Sequence, residues 1–282
     1  VVWRRRLVAL GVLVAAFVLA WVAVASVGGK EKKKVTPPPV AAPPKPFRIV
    51  FPEGFTRKQM AARVTAVAQI AKRERGKRVR LKEKAYLAAT VHPRREPGFG
   101  RKAYPLEGFL FPATYDFTVR TTSPQLIAAQ LKAFRANWAK LDLRYARSKN
   151  LTPYDVLTIA SMVEKETPAP EERQLVSAVI YNRLHAHMAL GIDAALRYGL
   201  KIPPTESIHE SQLANPTPYN LRLHAGLPPT PIGAPGLASL QAAAHPAKVN
   251  YLYFVAKPDK KHHFFTASSA AFEHYKAQHG YR

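Results

Sequence analysis

A chain of 282 residues that is 47% hydrophobic is long enough to bury a packed core, which rules out wholesale disorder. Its 43 Lys and Arg stand against 18 Asp and Glu, a net charge of +25, so an anionic partner is expected: nucleic acid, acidic lipid or an acidic cell-envelope polymer. The absence of cysteine excludes disulfides, thiolate catalysis and cysteine-ligated metals.

Leu7 to Val27 is a run of 21 residues without a charge, the length of a bilayer-spanning helix. Arg4, Arg5 and Arg6 precede it and Lys30, Lys32, Lys33 and Lys34 follow. Residues 1–28 therefore read as a cytoplasmic stub and single-pass plasma-membrane anchor. A cleaved signal peptide competes, because Ala23-Val24-Ala25 fits a small-residue cleavage site. Either reading sets the rest of the chain outside the cytoplasm and makes nucleic acid a poor partner. Residues 29–46 hold six prolines between Pro37 and Pro46 and read as a stiff linker.

Structure is expected from Phe47. Phe47 to Phe51 reads as a strand, Pro-Glu-Gly as a turn, and a helix capped by Thr56 carries Met60, Val64, Val67 and Ala71 at helical spacing. Lys72 to Lys84 contains eight basic and two acidic residues, either a solvated helix and loop or an electrostatic contact with lipid or wall polymer. Tyr104 to Phe117 is aromatic and broken by Pro105, Gly108 and Pro112, hence strand and turn. Ser123 is expected to cap an amphipathic helix with Leu126, Ile127, Leu131, Phe134 and Trp138 on one face. Thr152-Pro153 opens another helix, and Pro170 to His185 forms a third. Beyond Gly191 recurrent prolines predict loops, then a short helix over "ASLQAAAHP", a hairpin of "YLYFVA" and "HHFFT", and a closing helix. The class is α+β.

The helix after Thr152 ends in two glutamates, Glu164 and Glu166. Pro168 and Pro170 should stop it near Thr167, so both carboxylates fall in the last turn, where the macrodipole is already negative. With Val156 at zero on a helical wheel, Glu164 falls at about 80°, between Ala160 and Leu157, and Glu166 at about 280°, on the opposite shoulder. Burial and dipole would both push Glu164 toward its protonated form, as a general acid for a glycosidic oxygen requires. The alternative is a rim glutamate paired with Arg173 or Arg183. The pairs His262-His263 and His274/His279 lack metal-ligand spacing and an acidic partner motif, so neither metal nor cofactor is expected. Tyr219, Asn220, Arg222 and His224, in a proline-rigid loop, offer stacking faces and donors suited to a sugar chain, or simply cover the core.

"LEGFLFPATYDF", "IASMVEKETPAPEERQLVSAVIYNRL", "GIDAALRYG", "PTPYNLRLHAGLPPTPIGAPGLASLQAAAHPAKVNYLYFVA" and "HHFFTASSAAFEH" occur in this order across most of residues 104–275. Together they resemble the endolytic murein transglycosylase, or YceG-like, family. The resemblance implies a small LysM-like module, at residues 47–92 here, followed by a catalytic domain at 93–282. It implies lytic cleavage of the β-1,4 bond between N-acetylmuramic acid and N-acetylglucosamine in nascent peptidoglycan strands, leaving 1,6-anhydro ends and contributing to termination of strand elongation. Peptidoglycan synthases are the implied neighbours. The family's catalytic glutamate, the first of Val-Glu-Lys-Glu, falls on Glu164, and Glu107, Glu166, Asn182, Asp193 and Asn220 match other motif positions, implying cleft support. Two departures concern cleft contacts: Ala113 replaces the usual aspartate of "FPDTY", and Leu190 to Ala194 replaces "LQSDP". A muramidase releasing reducing ends, with Asp193 or Glu107 as second carboxylate, and a non-catalytic wall-binding scaffold are the alternatives.

Overall fold

The computed structural model describes residues 46–281, which belong to one compact unit. The expected anchor and linker lie outside the described residues, apart from Pro46, and no described helix is long and apolar enough to cross a membrane.

Strand β1 (Phe47–Val50) sends Ile49 inward and Val50 to solvent, the period-two pattern of a half-buried strand. A turn with Gly54 at φ +74° leads into α1 (Arg57–Arg75), whose N-cap Thr56 forms a capping box with Gln59. The basic run 72–84 closes α1, passes through a loop and opens α2 (Glu83–Val91). Strand β2 (Thr114–Phe117) then pairs antiparallel with β1, Phe47 opposite Phe117 and Val50 opposite Thr114. Because β2 is the only strand partner of β1 among the described residues, β1-α1-α2-β2 closes well past residue 92.

Helix α3 (Ser123–Trp138) is capped by Thr122 with Gln125 rather than by Ser123. The Ser123 hydroxyl instead accepts from the Lys82 N–H and donates to the Lys82 carbonyl, tying α3 to the start of α2. A short α4 (Arg144–Ser148) precedes α5 (Pro153–Glu166), which starts at a Thr152–Asp155 capping box with proline in its first turn. Every residue of α5 from Val156 to Val163 is buried, so the helix runs through the core instead of lying on it. A single 3-10 turn, Pro170–Glu172, leads into α6 (Arg173–His185).

The expected loop region after Gly191 contains α7 (Asp193–Leu200) and the single turn α8 (Glu210–Leu213). Helix α9 (Leu237–Ala244) follows, and its small residues Ala242, Ala243 and Ala244 let it pack closely on α5 and α6. Strands β3 (Tyr253–Ala256) and β4 (His263–Thr266) form the hairpin, with α10 (Ser269–Gln278) against it. Thus α5 is the axis of the unit, and α6, α7 and α9 surround the end that carries the two glutamates.

Candidate active site

The site is built by a loop that should not be buried. Residues 231–236, "PIGAPG", are all buried, so their backbone N–H groups need partners inside the protein. Two prolines need none. Ile232 N–H donates to Ser161 Oγ at 3.0 Å, Ala234 N–H to the Phe55 carbonyl at 2.8 Å, and Gly236 N–H to Glu164 Oε2 at 2.9 Å. The Ala234 carbonyl in turn accepts from Gly54 N–H at 2.8 Å. Alternate residues of the loop therefore clip it to α5, to the β1–α1 turn, and to α5 again. Glycine is required where the backbones meet: a Cβ on Gly233 would stand 2.6 Å from the Gly54 carbonyl oxygen, and one on Gly108 2.7 Å from Pro231.

The last turn of α5 fans outward from this clip. Glu164 is half-buried and reaches the N-cap residue of α9. Its other carboxyl oxygen, Oε1, accepts no hydrogen bond from the described residues. Glu166, two positions and thus about 200° further round the helix, reaches the start of α7, where Ala194 N–H donates to it at 3.3 Å. Each glutamate therefore sits at the positive end of a neighbouring helix. Lys165 lays its chain against Gly54 and Gly233 and makes no ion pair among the described residues. Burial along that path pulls the ammonium pKa down, while Glu107 and Glu164 oppose the shift.

The wheel's apolar arc does not decide the outcome, because α5 has no wet side until it leaves the core at Glu164. The strong desolvation falls on Glu166. Its carboxyl end is enclosed although the whole residue is not fully buried, and burial, with Asp193 adding, pushes its pKa up to about 7 against the Ala194 N–H. No arginine pairs with Glu164 among the described residues. Arg173 donates to Ser239 Oγ at 3.2 Å, and Arg183 is committed to the carbonyls of Leu252, Ala189 and Leu190.

The other expected residues divide into two groups. Glu107 is buried and accepts from Arg57 N–H at 3.0 Å and Tyr198 OH at 2.9 Å. Burial raises its pKa, opposed by Arg57 and Tyr198. Glu107, Lys165, Tyr198 and Tyr219 line a cavity of about 550 Å³ that also carries Arg197 and Lys201. The Tyr219 ring lies against Gly199, and its hydroxyl is 2.9 Å from Thr230 Oγ1. Asp193 flanks this region through an ion pair with Arg222 at 2.7 Å. Asn182 and Asn220 instead hold backbone. Asn182 donates to the carbonyls of Val249 and Tyr251, and the buried Asn220 to those of Leu213 and Asn215.

One residue beside Glu164 escaped the sequence reading. Glu53, in the β1–α1 turn, lies against Gly236 so closely that a Cβ on that glycine would fall inside the Glu53 carboxyl. Its sequence signal is slight: a charge held between Pro52 and a glycine with positive φ.

The YceG-like family model matches residues 33–278. The chain belongs to the YceG-like family. Its relatives include the endolytic murein transglycosylase of Streptococcus pneumoniae, 40% identical over 159 residues, covering 54% of this chain and 28% of that protein. The endolytic murein transglycosylase of Bacillus subtilis is 36% identical over 155 residues, covering 55% of this chain and 42% of its own length. The aligned region is thus less than half of either relative. Among solved structures, a YceG-like protein of Listeria monocytogenes superposes with a TM-score of 0.67 at 30% identity, covering 82% of this chain and 76% of that one. Family membership therefore extends over both the β1–α1 turn and the α5 terminus.

Proposed function

We propose that this chain is a lytic transglycosylase that cleaves peptidoglycan glycan strands internally, with Glu164 as its acid and base. The observation that carries this reading is the Glu164 carboxyl. It emerges half-buried from a helix that is buried on every side from Val156 to Val163, is held at Oε2 by one amide, and leaves Oε1 without a hydrogen bond from the described residues. The names of the relatives support the same substrate class.

In the reaction the protonated Glu164 gives its proton to the glycosidic oxygen as the bond from the muramic C1 breaks. The resulting carboxylate takes the proton of the C6 hydroxyl as that oxygen bonds to C1. The 1,6-anhydro ring closes, no water is consumed, and Glu164 is protonated again. The substrate's N-acetyl group stabilises the positive centre, so no carboxylate nucleophile is needed. Glu107 and Asp193 have partners of their own in Arg57, Tyr198 and Arg222, which fits cleft support better than attack.

The same reading sets the chain at the outer face of the plasma membrane, anchored through Leu7 to Val27. Residues 47–92 serve as the LysM-like module. Synthases supply the nascent strand, and cleavage ends its elongation. The test is to incubate the full chain, in detergent micelles, with uncrosslinked glycan strands and analyse the products by mass spectrometry. Internal 1,6-anhydro ends are expected from the wild type and none from Glu164→Gln, which keeps an acceptor for Gly236 N–H. Reducing ends instead would assign a muramidase, and no cleavage a wall-binding scaffold.

A further inference from the structure

Two carboxyl groups meet at Gly236. Glu164 Oε2 accepts its N–H at 2.9 Å, and the Glu53 carboxyl fills the space where a side chain at 236 would begin. The arrangement is anchored on both sides. The β1–α1 turn is bonded to the buried loop through Gly54 N–H to Ala234 O and Ala234 N–H to Phe55 O, both 2.8 Å. A Cβ on Gly54 would in turn stand 3.7 Å from Glu164 Cγ. Glu53 itself accepts no hydrogen bond and forms no ion pair among the described residues, so its carboxyl has no structural task.

We propose that Glu53 is a positioning residue for the reaction, acting through Glu164: its carboxyl beside Gly236 makes the two glutamates a pair that retains one proton. This inference rests on the proposed function. A carboxylate on one side of Gly236 disfavours a second charge on the other, so Glu53 keeps a proton on the pair to a higher pH than an isolated glutamate would. The pKa of Glu53 is raised, by burial first and by Glu164 second, with Arg173 pulling the other way. The charged groups facing the pair are Lys165 from α5 and Arg173 from the start of α6. Glu107 acts only through Lys165. Arg173 is held to Ser239 on α9.

The test is the pH profile of kcat/KM for the full chain on glycan strands, for wild type, Glu53→Gln and Glu53→Asp. Glu53→Gln should move the alkaline limb about one pH unit lower, a roughly tenfold loss above neutrality with little loss near pH 5. Glu53→Asp should restore part of the shift. A merely structural role would lower activity by one factor at every pH, and that outcome, or an unmoved profile, overturns the proposal. A readout independent of activity is the side-chain carboxyl 13C titration of Glu53. Its midpoint should fall in Glu164→Gln, because the charge that raises it is gone. An unchanged midpoint overturns the pairing even if the wild type proves inactive. Wild-type inactivity with a shifted midpoint removes the proposed function and leaves the pair.

Discussion

Glu166 turns to the Ala194 amide at the start of α7, whereas Glu164 reaches forward to Gly236 at the start of α9. Two positions along a helix put side chains about 200° apart, so adjacent members of one motif serve different partners. The consequence is measurable on Glu166, whose pKa rises from the ordinary glutamate range to about 7 in the folded protein. A raised carboxyl pKa means that the folded state holds the proton more tightly than the unfolded chain. Stability is therefore lost as pH rises from about 4.5 through about 7. Glu166→Gln should remove that loss. Thermal unfolding should show the variant more stable than wild type by on the order of 1–3 kcal/mol at pH 8 and nearly equal to it at pH 5. A variant less stable by the same amount at both values would show that the carboxyl acts through packing and not through its charge.

The elements that place Glu164 were legible to unequal degrees. Helix α5 announced both its ends, through Thr152-Pro153 at the start and Pro168 beyond Thr167, and these are local signals. Helix α7 did not, because eight residues behind Gly191 and before a run of prolines offer too few turns for periodicity to register. The contact of Glu53 with the site left almost no trace, since a turn and a loop some 180 residues apart are joined only by backbone hydrogen bonds. Those bonds make the glycines predictive. A Cβ on Gly233 meets the Gly54 carbonyl, which is backbone and has no rotamer to yield, so Gly233→Ala should destabilise by about 1–3 kcal/mol and reduce cleavage. Calorimetry beside an activity assay checks both, and an unchanged melting temperature would contradict the tight contact. The hairpin offers a pH-dependent counterpart. The His262 ring bonds Asp259 and Glu171, which raises its pKa; Asp259 is lowered first by the His262 backbone N–H and then by the ring, and Glu171 first by its own backbone N–H with the ring adding. The clasp is thus fully present below the ordinary histidine pKa of about 6.5 and lost as pH rises through the raised value. It also weakens in acid as the carboxylates take up protons. Amide exchange at Lys261 and His262, corrected for intrinsic rate, should be slowest between about pH 5 and 6.5, and no minimum there would exclude the clasp.

At the scale of the whole molecule, one compact unit carries the motif, and the cavity beside it is lined by Arg57, Lys58, Lys165, Arg197 and Lys201 against the single carboxylate of Glu107. Lys165 is the nearest cation to Glu164 in sequence and makes no ion pair among the described residues, so on the proposed function it remains available to an anionic strand. Composition could foretell the kind of partner but not the bond to be cut. The names of the relatives point to wall chemistry, and in the proposed reaction the Glu164 carboxyl at the α9 N-terminus would supply acid and base in one group. The most direct test of that chemistry is to digest glycan strands in 18O-labelled water with wild type and Glu164→Gln and weigh the newly formed muramic ends. An internal C6 attack predicts anhydro ends without 18O from the wild type, and at least a hundredfold less product from the variant. Ends carrying 18O, or equal anhydro product from both proteins, would contradict it.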